Sequence, residues 1–352
     1  SRDPVAAARA SRMLRVAGLG GAVAAPEAAL LEIDGCRFLV GCPKDAVSDL
    51  AALGVRPEEL RAVLATSGAS LAGWPALWAC AAGAGGRPRL LATEPVLLAA
   101  EAHLRQLAAA AEAVDEAGGA HAAAAKEERL GLCGSKLAEA LSVAEEVSFR
   151  QEVAVEGPEG PVLVSPASSG HSLGAAYWVL SSFGVRVAVL GALSTVQLPA
   201  PRPLDRELLA GARLVILLGA SSAVADTATA LREAALEGTR ALGEGRCLLV
   251  PLGPDLDLAL DVAEALGQAI SELPGGSQAP IFALGGPARL LRRSISYAEW
   301  AHPDRARRAH AGESPFLVEA LVRANRLVLA DAAHELVDSY REPCALLAPS
   351  PP

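Results

Sequence analysis

The sequence has few of the residues that build a nucleic-acid-binding surface. Only 3% of its 352 residues are aromatic, and the formal net charge is −9. A free-standing nucleic-acid binder usually carries a basic face or stripe. Here the clustered basic residues form two short groups: Arg289, Arg292 and Arg293, then Arg305, Arg307 and Arg308. We therefore expect the isolated chain to bind RNA or DNA weakly.

Cysteine and histidine are also scarce and scattered, which argues against a disulfide scaffold or a zinc module. No two histidines stand two or four residues apart, so no pair shares a helix face as metal ligands. A Walker A sequence is absent, and "VAGLGGAV" has Val23 where a dinucleotide-binding motif needs its third glycine. The residues concerned are Cys36, Cys42, Cys80, Cys133, Cys247 and Cys344, and His103, His121, His171, His302, His310 and His334.

Long hydrophobic runs are limited to one. The uncharged run 160–185 could span a bilayer by length, but it contains six serines, a histidine and Pro166. We expect no membrane helix there. The arginine-containing first 25 residues faintly resemble a signal or transit peptide. We instead expect the protein to begin at Met13, its only methionine, with residues 1–12 as an extension.

The first half of the chain is mixed and rich in predicted strands. Two strands flank a turn at Asp34-Gly35, and another covers Leu60–Thr66. Apolar residues at 3–4 spacing predict a helix over 94–116. The β-rich runs Tyr177–Leu180 and Val185–Leu190 predict a hairpin.

Strands and helices alternate after about residue 213. The strand "RLVILLG" opens this series, and helices are predicted over 223–240, 255–272 and 287–300. Such alternation predicts a mostly parallel, doubly wound layer.

One short motif suggests a serine hydrolase. Gly170-His171-Ser172-Leu173-Gly174 fits the nucleophile-elbow pattern G-x-S-x-G. That motif places its serine on a tight turn between a strand and a helix. Here five residues separate the preceding strand from Gly170, and a hairpin is predicted to follow. A serine esterase using Ser172 is the competing hypothesis.

The order of several segments resembles the metallo-β-lactamase/β-CASP nuclease family, and within it the inactive paralogues. The segments are "LLATEPVLLAAEAHLRQL", "VLVSPASSGHSLGAAYWVL", "LPAPRPLDRELLAGARLVILLG", "ESPFLVEALVRANRLVL" and "SYREPCALLAPSP". The resemblance implies an αββα metallo-β-lactamase-like domain over residues 13–220. An inserted Rossmann-like β-CASP domain, truncated here, would follow over 221–352.

The same resemblance implies that the family's metal site is lost. Active members carry H-x-H-x-D-H in the loop that is "TSGASLAGWPAL" here, and Gly191-Ala192-Leu193-Ser194 replaces their Gly-Asp-Phe-Ser motif. His171 matches the histidine of the third metal motif, and Ser172 is then only its neighbour. One histidine cannot hold a two-metal site, so we expect no bound zinc and no other cofactor. The degenerate positions are Ser67, Ala69, Leu71, Ala72, His171 and Ala192.

The resemblance implies a non-catalytic subunit that pairs with an active endonuclease paralogue in a nuclear RNA-processing complex. Two such complexes are considered. The Integrator complex, which processes small nuclear RNA 3′ ends and nascent RNA, is favoured. The alternative is the inactive large paralogue of the cleavage and polyadenylation factor, which acts on messenger-RNA 3′ ends. RNA would be bound only within the complex, and no membrane is implied.

Overall fold

Three β-sheets organise the described part of the chain. The computed structural model describes residues 14–20, 27–83, 85–116, 134–195, 198–218, 227–253, 256–272, 279–294 and 296–350. The sheets have six, five and four strands and follow one another along the chain. The predicted extension 1–12 and Val23 lie outside the described residues.

The first sheet is antiparallel at one end and parallel at the other. β1 to β3 form an antiparallel meander, and β3 to β6 are parallel. The turn at Asp34-Gly35 has positive φ angles of 49° and 72°, as a tight hairpin requires. In chain order the elements are β1 (Arg15–Leu19), β2 (Ala28–Ile33), β3 (Cys36–Val40), α1 (Ala46–Ala52), a 3₁₀ turn (Pro57–Glu59), β4 (Leu60–Leu64), a 3₁₀ turn (Ala69–Leu71), α2 (Trp74–Gly83), β5 (Arg89–Ala92), α3 (Glu94–Glu116), α4 (Gly134–Ser142) and β6 (Ala144–Glu146).

The second sheet contains the predicted hairpin at its centre. β8 to β10 are antiparallel neighbours, while β11 joins β10 in parallel after the α5 crossover. The alternation pattern alone grouped strand 214–217 with the later strands, whereas the structure pairs it with β10, a strand that also lies within the predicted first domain (13–220). Its apolar residues are compatible with the second or the third sheet, and its pairing with β10 places it in the second. The elements are β7 (Val153–Val155), β8 (Val162–Ser168), β9 (Ala176–Ser182), β10 (Val185–Leu190), α5 (Arg206–Ala210) and β11 (Leu214–Leu217).

The first two sheets pack face to face and carry helices on their outer sides. Phe38 and Leu64 of the first sheet share one buried cluster with Trp178 and Val189 of the second. The opposite face of the first sheet packs against α1, α2 and α3. The outer face of the second sheet, including Tyr177, packs against α5. This four-layer arrangement confirms the predicted αββα sandwich.

The third sheet is entirely parallel, as predicted, with the order β12-β15-β13-β14. Its elements are α6 (Thr227–Gly243), β12 (Leu248–Leu252), α7 (Leu256–Ser271), β13 (Ile281–Leu284), α8 (Gly286–Ser294), a 3₁₀ turn (Ala298–Trp300), α9 (Pro303–His310), α10 (Leu317–Arg323), β14 (Leu327–Ala330), a 3₁₀ turn (Ala333–Leu336) and β15 (Ala345–Pro349). The helix predicted over 287–300 thus ends at Ser294 and is followed by a separate turn.

Helices cover one face of this sheet, not both, among the described residues. Ile281 and Ala283 face the helical core, whereas Phe282 packs with Leu336 and Cys344 on the opposite side. The crossovers from β12 to β13 and from β13 to β14 run in one direction. Right-handed crossovers of that kind place their helices on the same face. The return to β15 runs the other way and contains only the 3₁₀ turn at Ala333–Leu336.

The uncharged run 160–185 forms β8, β9 and the turns beside them rather than a helix. No helix in the described ranges is both long and apolar enough to cross a membrane. The predicted domain boundary near residue 220 falls among residues that the structure does not describe, and it stays a prediction.

Candidate functional site

Three loops that carry predicted site residues meet at one edge of the paired sheets. The Thr66 carbonyl, just after β4, accepts a hydrogen bond from the Ala176 N–H at 2.9 Å. The Ser169 carbonyl, after β8, accepts one from the Ser194 N–H at 3.0 Å. These bonds bring the loops containing Ser67, His171 and Ala192 together.

The loop after β4 is closed by its own hydrogen bonds. The Ser70 hydroxyl accepts the N–H groups of Thr66 and Ser67, both at 3.1 Å, and donates to the Ser67 carbonyl at 2.7 Å. Leu71 is fully buried in the core beneath the loop. Ser67 and Ala72 are partly buried, and Ala69 is exposed. The positions that correspond to imidazoles and a carboxylate thus form a compact, apolar turn.

This loop is also clamped by its neighbours. A Cβ added to Gly68 would stand 2.6 Å from Ala99 Cβ on α3, and one added to Gly73 would stand 1.9 Å from the Pro43 carbonyl oxygen. The Cys42 N–H donates to the Ser70 carbonyl at 2.6 Å. Such close approaches on both sides leave the loop little freedom to change its path.

The two glycines of the G-x-S-x-G motif serve the turn between β8 and β9. Gly170 and Gly174 have φ angles of 70° and 74°. A Cβ on Gly170 would lie 2.7 Å from the Ser194 carbonyl oxygen, and one on Gly174 would lie 2.8 Å from Thr93 Oγ1. Thr93 Oγ1 donates to the Gly174 carbonyl at 2.7 Å. Glycine is needed at both positions for conformation and space.

Ser172 lies in this turn between two antiparallel strands, and because β8 continues to Ser168, the predicted gap of five residues before Gly170 is wrong. Its carbonyl accepts the Ala175 N–H at 2.9 Å, and β9 begins at Ala176. A nucleophile elbow requires a helix after the serine. The strand–turn–strand geometry therefore gives the esterase hypothesis no support.

The donor chemistry of the site does not fit the two metal ions of an active nuclease. Ser67, Ala69, Leu71, Ala72 and Ala192 offer neither an imidazole nor a carboxylate, and His171 is exposed. Among the described residues, no group of three or more His, Cys, Asp and Glu side chains is arranged so that it could hold a metal ion. A dinuclear site needs several such ligands to hold its ions and to acidify bound water.

Sequence reasoning missed a contact between the site turn and the third sheet. The Leu173 N–H donates to both carboxylate oxygens of Asp257, at 2.8 and 2.9 Å. Asp257 is 7% exposed and lies in the first turn of α7. A signal was present, because Asp257, Asp261 and Glu264 stand at helical i, i+4 and i+7 spacing in an otherwise apolar segment.

The arginine opposite this acidic stripe ties the same parts together. Arg305 forms a two-pronged ion pair with Glu264, at 2.9 and 2.8 Å, and its Nε donates to the Pro199 carbonyl at 2.9 Å. Burial, with Glu264 nearby, raises the pKa of Asp261 to about 6 despite the opposing effect of Arg305. The loop after β10 and helix α7 are thus held through one charged network.

Comparison with known proteins gives relatives of one kind. Integrator complex subunit 9 of Mus musculus is 27% identical over 215 residues, which cover 60% of this chain and 32% of the relative. The Homo sapiens protein of the same name is 26% identical over 215 residues, with the same coverage. The chain therefore matches about a third of the length of these relatives. No family model matches the sequence.

Solved structures of similar shape are metallo-β-lactamases. A B3 metallo-β-lactamase with an active-site glutamic acid is 16% identical and covers 63% of this chain and 91% of its own, with a TM-score of 0.34. A metallo-β-lactamase with a HARLDQ motif from Cronobacter sakazakii is 18% identical and covers 49% of this chain and 61% of its own, with a TM-score of 0.30. Scores of this size carry no weight beside the layers described above.

The chain is thus similar to Integrator complex subunit 9 over 60% of its length, and it folds as two facing sheets with helices on their outer sides.

Proposed function

We propose that this protein is a non-catalytic pseudonuclease subunit of the Integrator complex. In this role it pairs in the nucleus with the active endonuclease paralogue, which cleaves nascent RNA and small nuclear RNA 3′ ends. Residues 13–220 form the metallo-β-lactamase-like domain and 221–352 belong to the β-CASP domain. The match covers 32% of the relative's length, so the role of the whole protein is part of this proposal.

One observation carries the non-catalytic part of the proposal. The loop that would supply most metal ligands is occupied by its own hydrogen bonds through Ser70 and by the buried side chain of Leu71. An imidazole restored at Leu71 would displace a packed side chain, and one restored at Ser67, Ala69 or Ala72 would still lack the remaining ligands. Hydrolysis by a two-metal mechanism depends on the full set, because the ions together orient and acidify the attacking water.

The scaffolding part rests on what the chain retains. Val189 and Trp178 are fully buried between the two sheets, and the site turn is fastened to α7 through Asp257. Association between subunits is driven by large buried surfaces, so a well-packed fold serves a partner without any chemistry of its own. RNA then contacts the complex rather than the isolated chain, whose charge is −9.

Affinity purification of the tagged full-length protein from its own cells tests this proposal. Mass spectrometry should recover the active endonuclease paralogue and other Integrator subunits. Val189→Asp places a charge in the core and should reduce that recovery strongly. Ala79→Asp puts the same charge on an exposed position of α2 and serves as the matched control.

Two outcomes would contradict the proposal. Recovery of cleavage and polyadenylation factor subunits instead would favour the alternative complex. Recovery of no endonuclease paralogue by the wild-type protein, under conditions that preserve the complex, would exclude a scaffolding role.

A further inference from the structure

Two cysteines that the proposed function does not use stand side by side at the start of two neighbouring strands of the third sheet. Cys247 and Cys344 directly precede β12 and β15, whose parallel register pairs Leu248 with Ala345. The Cys344 thiol donates to the Cys247 sulfur with an Sγ–Sγ distance of 3.9 Å. The Leu248 N–H donates to the Cys344 carbonyl at 2.9 Å, which fixes the two backbones side by side.

The backbone spacing suits a disulfide. Adjacent strands lie roughly 4.8 Å apart, and disulfide-bonded cysteines have Cα–Cα distances of about 4.4–6.8 Å. The sulfurs must approach from 3.9 Å to a bond length of about 2.05 Å. Side-chain rotation alone can supply most of that movement, because the register already places the two residues opposite each other.

The two thiols differ in solvent exposure, and this difference determines which of them reacts first. Cys247 is exposed, whereas Cys344 is 2% exposed and packs with Phe282 and Leu336. Burial raises the pKa of the Cys344 thiol, which lowers its thiolate fraction. A reagent in solution therefore meets Cys247 first, and Cys344 is positioned as the resolving thiol.

We propose that Cys247 and Cys344 are a redox modification site that glutathione disulfide, or another small disulfide, converts reversibly into an intramolecular disulfide. The Cys247 thiolate, having lost its proton, attacks one sulfur of glutathione disulfide. The S–S bond breaks, one glutathione leaves as a thiol after protonation, and a mixed disulfide forms at Cys247.

The second exchange closes the bond. The Cys344 thiolate attacks the Cys247 sulfur, breaks the mixed disulfide and releases the second glutathione. Two protein thiols are oxidised by two electrons, and one glutathione disulfide is reduced to two thiols. The product links the edge strand β12 to the central strand β15 and closes a long loop, because the two cysteines are 97 positions apart.

The test equilibrates the full-length protein with a series of glutathione to glutathione-disulfide ratios. Acid quenching, denaturation, alkylation and peptide mass spectrometry then report the state of each cysteine. Cys247 and Cys344 should lose reactivity together and appear as one cross-linked peptide pair that dithiothreitol reverses. The oxidised protein should unfold roughly 5–10 °C higher than the reduced protein.

Two controls are built into the chain. Cys80 is exposed on α2 and should form only a mixed disulfide with glutathione. In Cys247→Ser, Cys344 should remain a free thiol that is alkylated after denaturation, because the thiol that reacts first with glutathione disulfide has been removed. Accumulation of wild-type Cys247 as a mixed disulfide while Cys344 stays free would overturn the proposal. So would cross-linking of either residue to a different cysteine, or no oxidation of the pair at the highest disulfide ratio.

Discussion

The Leu173 N–H is held by both carboxylate oxygens of Asp257, at 2.8 and 2.9 Å, across 84 positions of sequence. This contact fastens the turn after β8, which carries His171 and Ser172, to the first turn of α7. It joins the paired sheets to α7, which packs in the core of the third sheet, through a carboxylate that is only 7% exposed. The position of the candidate site therefore depends on a residue far from it in the chain.

Removing this carboxylate should destabilise the protein measurably. We expect Asp257→Ala to lower the free energy of unfolding by about 1–3 kcal/mol, because the Leu173 N–H loses a charged acceptor within a buried setting. Asp257→Asn retains one acceptor oxygen and should lose less. Urea denaturation measures both variants, and Glu237→Ala on the exposed side of α6 is the control. Equal stability of Asp257→Ala and wild type would show that the contact does not hold the turn.

Asp261 should make the stability of the protein fall as pH rises from about 4 to about 6. Its folded-state pKa is raised from 3.8 to about 6 by burial, so the folded state binds more protons than the unfolded state in this range. The stabilising effect of the bound proton is complete below pH 3.8 and is lost as pH rises through 6.

Asp261→Asn tests this pH dependence. The substitution should abolish the loss of stability between pH 4 and 6, and it should stabilise the protein by about 1–3 kcal/mol at pH 7. The measurement is the denaturation midpoint across the pH range. Asp338→Asn, which changes an exposed carboxyl, is the matched control. A decline between pH 4 and 6 that is unchanged in Asp261→Asn would show that another group causes it.

Gly174 should tolerate alanine much less well than Gly184 does. Both have positive φ angles, of 74° and 89°, so alanine meets backbone strain at each. A Cβ at Gly174 would also stand 2.8 Å from Thr93 Oγ1, whereas one at Gly184 meets nothing within 4 Å. We expect Gly174→Ala to cost about 1–3 kcal/mol more than Gly184→Ala. If Gly174→Ala and Gly184→Ala lowered the melting temperature equally, the turn around Gly174 would accommodate the added Cβ without losing stability.

Much of the fold follows from local patterns, but the pairing of elements does not. The helix over 94–116 and the hairpin around Ser182 and Val185 were predicted correctly, because periodicity and turn residues are local signals. The alternation pattern grouped the run 214–217 with the later strands, whereas it pairs with β10, because an apolar strand does not encode its partner. Among the described residues, helices cover only one face of the third sheet, and this depends on the strand order, which a short stretch of sequence does not reveal.

At the candidate site too, some features could be predicted from the sequence and others depend on how distant segments pack. The resemblance predicted Ser67, His171 and Ala192 as vestigial-site positions, and the structure brings the loops that contain them together. The closing role of the Ser70 hydroxyl and the burial of Leu71 depend on the path of the loop, which its residue types do not specify. Asp257 was missed because its partner is a backbone N–H in a turn 84 positions away in the chain.

Ser172 should be unreactive toward serine-directed probes. It lies between two antiparallel strands, where no helix follows to form an elbow. Labelling of the purified protein with a fluorophosphonate probe should be no stronger for wild type than for Ser172→Ala. Labelling that disappears in Ser172→Ala would revive the esterase hypothesis.

The cleavage rate of the assembled complex containing His171→Ala tests the central claim most directly. His171 is the one remaining metal-type ligand at the degenerate positions, and it is exposed, so its removal should disturb neither the fold nor assembly. We predict that the complex forms in full yield and cleaves its RNA at the wild-type rate within twofold. A complex that assembles normally but no longer cleaves would contradict the pseudonuclease account, because this chain would then contribute directly to catalysis.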